Sequence, residues 1–263
     1  MKLAFSTLGC PNWNFWDVFS TAKDLGYSAV EVRGIGRDIY APNIKQFSND
    51  SDVTIQKLNT MGVGISMFTS AATFAVHNDQ EKSMKEAKEY IDLAKKMNVP
   101  YVRIMSTDRP QFDGGDIVLC KKLFAELVDY ADGTGVTPLM ETNGLFVDTK
   151  ALTNFLNDIG GNSGALWDIH HPYRFGGETI EQSIDNLGDK IKYVHLKDSI
   201  VEKGATAYKM MGYGDIPLAK AINELKSINF DGYYTLEWVK RWNKELEEPG
   251  IVFSHFVSYM KKF

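Results

Sequence analysis

Glu141, Asp168, His195 and Glu237 each close a short hydrophobic run: Pro138-Leu-Met-Glu141, Ala165-Leu-Trp-Asp168, Lys192-Tyr-Val-His195 and Tyr234-Thr-Leu-Glu237. Positions 141, 168 and 195 follow one another at intervals of 27 residues, and 42 residues separate 195 from 237. One strand, one helix and their loops take roughly 30 residues. The four side chains are therefore expected at equivalent places in successive βα units, at the C-terminal ends of strands. Three carboxylates and an imidazole gathered there can hold one divalent cation in an open site. Carboxylates brought that close without a cation would repel one another. The oxygen-rich set suits Mn²⁺ first, with Mg²⁺, Co²⁺ or Zn²⁺ as alternatives, and the lack of sulfur argues against a structural zinc site.

The elements that must position these groups can be marked along the chain. Strand-like runs fall at Lys2–Leu8, Ala29–Arg33, Gly64–Thr69, Tyr101–Met105, Thr137–Thr142, Ala165–His170, Ile191–Leu196 and Gly232–Trp238. Most are short, apolar and rich in β-branched or aromatic residues, as in a parallel sheet covered by helices. Helical patterns separate them at Trp16–Leu25, Val53–Met61, Asp79–Met97, Gly115–Thr134, Thr149–Ile159, Thr179–Leu187, Pro217–Ile228 and Ile251–Lys262. Gly26, Gly62, Asn98, Gly135 and Asn229 follow helices and suit a left-handed C-terminal cap. Eight strand–helix alternations predict right-handed crossovers and closure into a single (β/α)8 TIM barrel, with residues 1–263 as one catalytic domain. In such a ring Glu141 and Glu237 lie four strands apart and face each other across the mouth. No Gly-x-Gly-x-x-Gly follows the first strand, which disfavours a dinucleotide fold.

Bulk properties narrow the class. The chain has 263 residues, 44% hydrophobic and 24% charged, with a net charge of −5 and no long basic run. A nucleic-acid partner is not expected. No apolar stretch is long enough for a membrane span, and Met1–Leu8 reads as a first strand and not as a signal peptide. The two cysteines, Cys10 and Cys120, form no paired motif. Together these predict a cytoplasmic location. Cys10 lies near the expected mouth and reads as small filler, since no base is visible beside it.

Asp168-Ile-His-His171, His195-Leu-Lys-Asp198 and Leu236-Glu237-Trp238 resemble the motifs of the xylose-isomerase-like TIM-barrel superfamily. That superfamily includes sugar and sugar-phosphate isomerases and epimerases, hydroxypyruvate isomerase, inosose dehydratase and endonuclease IV. The resemblance spans the whole chain and is moderately specific for the superfamily, but weak for a substrate. By resemblance to the ketose 3-epimerase branch, Glu141, Asp168, His195 and Glu237 bind the metal. Glu141 and Glu237 double as the catalytic acid/base pair, His171 contacts substrate, and Lys197 reaches into the mouth. The implied function is a divalent-metal-dependent isomerase or epimerase of a small sugar, sugar phosphate or related polyol or keto acid.

Other residues are less determined. Arg174 either contacts substrate or pairs with Glu178. Trp238, with Trp13 and Phe68, either walls the substrate pocket or packs in the core. Arg33 reads as pairing with a loop carboxylate, and Lys240, Arg241 and Trp242 as a solvated basic loop. Residues 199–216 read as a long glycine-containing lid or an Ω-loop. Three rival functions follow: an inosose dehydratase-like lyase using the same proton abstraction, an endonuclease IV-like repair enzyme and a non-catalytic sugar-binding barrel. The repair role needs extra histidines at the third and fourth strand ends, where Thr69-Ser70 and Met105-Ser106 stand instead. A small carbohydrate is the expected partner, and a homo-oligomer is compatible with the fold.

Overall fold

Short apolar runs that alternate with amphipathic helices leave the chain few ways to bury its hydrophobic faces, and a parallel sheet wrapped by helices is the one adopted. A computed structural model describes residues 1–112 and 114–263. Its strands are β1 (Lys2–Ser6), β2 (Ala29–Val32), β3 (Gly64–Thr73), β4 (Tyr101–Met105), β5 (Thr137–Glu141), β6 (Gly164–Asp168), β7 (Ile191–Leu196), β8 (Asp198–Glu202), β9 (Ala205–Lys209) and β10 (Tyr233–Leu236). Eight of them close a barrel in the order β1-β10-β7-β6-β5-β4-β3-β2, and β8 pairs with β9 in a separate two-stranded sheet. The pairings β1·β2, β1·β10, β3·β4, β4·β5 and β5·β6 are parallel. The fold is thus the expected (β/α)8 barrel.

The helices are α1 (Phe15–Leu25), α2 (Lys45–Ser48), α3 (Ser51–Met61), α4 (Gln80–Met97), α5 (Ile117–Ala131), α6 (Thr149–Ile159), α7 (Ile180–Leu187), α8 (Leu218–Ser227) and α9 (Pro249–Met260). In α4, Met84, Ala87, Tyr90, Ile91, Ala94 and Met97 are buried on one face, and each large side chain so buried contributes roughly 1.5–3 kcal/mol. Asn14 and Asp17 form a capping box at the start of α1, a device worth about 1 kcal/mol. Asn98 ends α4 with φ 56°, a left-handed conformation that Asn tolerates better than most side chains. Among the described residues no helix is long and apolar enough to cross a membrane.

The chain divides into two compact units, Met1–Ser66 with His195–Phe263, and Met67–Val194. In the first, the segment read as a lid contains the antiparallel β8–β9 hairpin. Asp198 anchors it. The buried carboxylate accepts backbone N–H groups from Ser199, Gly212, Gly214 and Ile216 at 2.8–3.3 Å. A Cβ at Gly214 would stand 2.0 Å from Asp198 Oδ1, so only glycine admits this approach. Burial pushes the Asp198 carboxyl pKa up, and the backbone donors hold it back. Hydrogen bonds to a charged acceptor are worth roughly 1.5–3 kcal/mol each, with partial recovery through water. Asp198→Ala should therefore cost about 2–4 kcal/mol and strip hydrogen-exchange protection from the Gly212 and Gly214 amides. Unchanged protection in that variant would show that the hairpin holds itself.

In the second unit, Asn143 ties the ends of β4 and β5 together. Its amide donates to Thr107 O at 2.9 Å, and Ser106 Oγ donates to Asn143 O at 2.8 Å. Thr142 does the same for β5 and β6, accepting from Asp168 N at 2.9 Å and donating to Asp168 O at 3.2 Å. The strand ends that carry Glu141 and Asp168 are thereby locked in register.

Candidate active site

In the second unit, Glu141 is the last residue of β5 and Asp168 the last of β6. Both are buried. Asp168 Oδ1 accepts the backbone N–H groups of His170 (3.0 Å) and His171 (3.3 Å), which turns the chain out of β6. A single π-turn, Pro172–Gly176, follows. Because the strand stops at Asp168, His171 comes back beside the carboxylates: Nδ1 lies 3.7 Å from Glu141 Oε1 and Nε2 3.6 Å from Asp168 Oδ2. Arg103, from the middle of β4, places Nη1 3.2 Å from Glu141 Oε2 and donates from Nη2 to Ser70 O at 2.8 Å. Glu141 is therefore held on one side by a guanidinium and faced on the other by an imidazole.

In the first unit, His195 on β7 and Glu237, just past β10, are also buried. His195 Nε2 lies 2.6 Å from Glu31 Oε2, and Glu31 is fully buried in β2. Nε2 is the ring nitrogen turned to that carboxylate, which leaves Nδ1 as the nitrogen that faces the other carboxylates. That Nδ1 lies 3.4 Å from Glu237 Oε1. Lys197 donates to Glu237 Oε2. Lys197 thus reaches the buried Glu237 carboxylate from the same unit.

Among the described residues, two sets of donors lie close enough to share an ion. One is Asp168, His170 and His171; the other is Glu141, Asp168, His195 and Glu237, whose ligand atoms all fall within 4.8 Å of one another. The second set fits a divalent cation on chemical grounds. Three buried carboxylates share the set with one imidazole, and a divalent ion offsets the repulsion among carboxylates held that close.

The remaining candidates take varied places. Trp238 is buried and donates from Nε1 to Glu247 O at 3.0 Å. Arg174 is half-buried beside the Tyr173 ring, and Glu178 is taken by Thr149 and Ser183 instead. Arg33 is buried and donates to the Ile39 carbonyl at 2.7 Å. Lys240 corrects the reading of a solvated loop: it is buried, its ammonium donates to Lys244 O and Leu246 O, and Glu248 lies 3.0 Å away. Burial pushes both cysteine thiols well up, so neither supplies a thiolate. Glu31 and Arg103 were not picked out from the sequence. The signal available was a single charge inside an apolar strand, Ala29-Val-Glu-Val32 and Tyr101-Val-Arg-Ile-Met105, where burial demands a partner.

Comparisons with known proteins agree with this architecture. A fructoselysine 3-epimerase from Shigella flexneri is 24% identical over 261 residues, covering 93% of this chain and 92% of the relative. The crystal structure of the IolI protein with a bound zinc atom superposes with a TM-score of 0.82 at 21% identity, covering 100% of this chain and 99% of that one. D-psicose 3-epimerase with D-tagatose from Clostridium cellulolyticum H10 gives 0.77 at 14% identity, with 100% and 98% covered. Residues 19–252 match the family model of the xylose isomerase-like TIM barrel. The chain belongs to that family.

Proposed function

We propose that this enzyme is a divalent-metal-dependent epimerase of a ketose or ketose derivative, with residues 1–263 acting as one catalytic domain. The observation that carries the reading is the gathering of two glutamates, an aspartate and a histidine into one buried donor set. The 3-epimerase among its relatives supports the same class. Glu141, Asp168, His195 and Glu237 would hold the cation, Mn²⁺ first and Mg²⁺, Co²⁺ or Zn²⁺ otherwise. A bound cation supplies Lewis-acid stabilisation for the negative charge that develops on the substrate oxygens.

The chain's own groups do the proton work. One glutamate removes the proton from the carbon beside the carbonyl, and the other returns a proton to the opposite face. Arg103 holds the Glu141 carboxylate and Lys197 that of Glu237, so neither reorients during transfer. His171 and Lys197 hydrogen-bond substrate hydroxyls, Trp238 backs the sugar ring, and Arg174 closes the far side.

Incubation of D-fructose and related ketoses with the Mn²⁺-loaded protein in deuterated water tests the reading. The expected product is the epimer with deuterium at the inverted carbon, and chelation should abolish its formation. Deuterated aldose would mean isomerisation, a dehydrated product would mean a lyase, and no exchange in any ketose would end the proposal.

A further inference from the structure

A cavity of about 420 Å³ lies in the unit that holds His195 and Glu237, and Asn12, Arg37, Lys240, Arg241, Lys244 and Glu248 are among the residues that line it. Four of these six are cationic in a chain whose net charge is −5, so the basic lining is a local feature. Glu248 and two carbonyls take up Lys240. Arg241 is fixed by donation to Gly36 O at 2.8 Å, while its buried Nε makes no hydrogen bond among the described residues. Arg37 and Lys244 are exposed. Among the described residues, three cations (Arg37, Arg241 and Lys244) therefore stand around the cavity without a carboxylate of their own. A guanidinium held in place by one N–H presents the others in a fork that matches a carboxylate or a phosphate.

The cavity lies within substrate reach of the chemistry. Lys240 and Arg241 follow Glu237 by three and four residues, and three residues span at most about 11 Å. That is the length of a six-carbon sugar with a substituent.

We propose that this cavity binds an anionic group, a carboxylate or a phosphate, carried by the substrate at the end remote from the reacting carbon. The anion site stands on its own lining. Its role in choosing an acidic sugar derivative rests on the epimerase reading above.

The test uses two anions that need no turnover, inorganic phosphate and N-acetylglycine, titrated calorimetrically into wild-type protein and an Arg37→Ala/Lys244→Ala double variant. Neither side chain makes a hydrogen bond or ion pair within the described fold, so the variant should fold. Wild type should bind one of the two with a Kd of about 1 mM or tighter, and the variant about tenfold more weakly. The anion that binds identifies the group. In parallel, kcat/KM is measured for D-fructose, D-fructose 6-phosphate and N-fructosylglycine. The ratio of the preferred charged substrate to the neutral one should fall about tenfold in the variant. Equal affinities in both proteins, or binding of neither anion, overturns the site. Anion binding without turnover of any ketose keeps the site and ends the epimerase reading. Turnover with an unmoved ratio keeps the epimerase and ends the inference.

Discussion

Glu237→Gln and Glu141→Gln should each lower kcat by about 10³-fold, within the 10²–10⁴-fold that a positioned carboxylate contributes to proton transfer. Gln keeps the length and shape of Glu, and both positions are buried, so the loss is chemical and not a matter of space. The amide oxygen can still accept from Lys197 at position 237 and from Arg103 at 141, which limits the harm to folding. Thermal melts recorded alongside should stay within a few degrees of wild type, since roughly 1 kcal/mol moves Tm by about 2–4 °C in a chain of this size. The decisive measurement is exchange from each epimer separately. If the two glutamates serve opposite faces, each variant should still wash one epimer's proton into deuterated water while failing to invert it, and the silent epimer should differ between the variants. Loss of exchange from both epimers in both variants, at saturating Mn²⁺, would assign the glutamates to metal binding alone.

How much of this site could be read in advance depended on whether the signal was local. The four donors were legible because each closes an apolar run, and β5, β6 and β7 end at or beside them. The placement of His171 followed from a strand that stops at Asp168, and the Asp168 carboxylate enforces that stop by capping the His170 and His171 amides. The β8–β9 hairpin looks like a loop in the sequence because its strands are largely polar and partly exposed. Its two-residue turn puts Lys203 (φ 51°) and Gly204 (φ 77°) in the left-handed region, a type I′ geometry for which Asn-Gly is the usual sign. Lys at the first position hid it. Strand β3 runs on to Thr73 through a register shift after Thr69, an irregularity with no signature in a single sequence. The burial of Lys240 is hidden for a different reason: its partners at 244, 246 and 248 meet it only once the loop folds back.

Glu31→Gln and Glu31→Ala should weaken Mn²⁺ binding by about 10–100-fold, the usual penalty for removing the carboxylate behind a metal-ligating histidine. Glu31 is fully buried, and its Oε1 makes no hydrogen bond among the described residues. A carboxylate kept there costs stability unless something uses its charge. What uses it is the His195 Nε2–H at 2.6 Å. Accepting that proton fixes the tautomer, aims Nδ1 toward Glu237, and raises the ring's basicity as a ligand. The Gln variant is the sharper probe, because its amide can turn its NH₂ toward Nε2 and favour the wrong tautomer while filling the same space. With a ligand-positioning role, the Mn²⁺ Kd rises in both variants and kcat recovers substantially once the metal is saturating. With a packing role only, Glu31→Ala lowers Tm, Glu31→Gln does little, and the Mn²⁺ Kd stays at the wild-type value in each. Titration of Mn²⁺ followed by electron paramagnetic resonance separates the two, because it reads the free ion directly and needs no substrate.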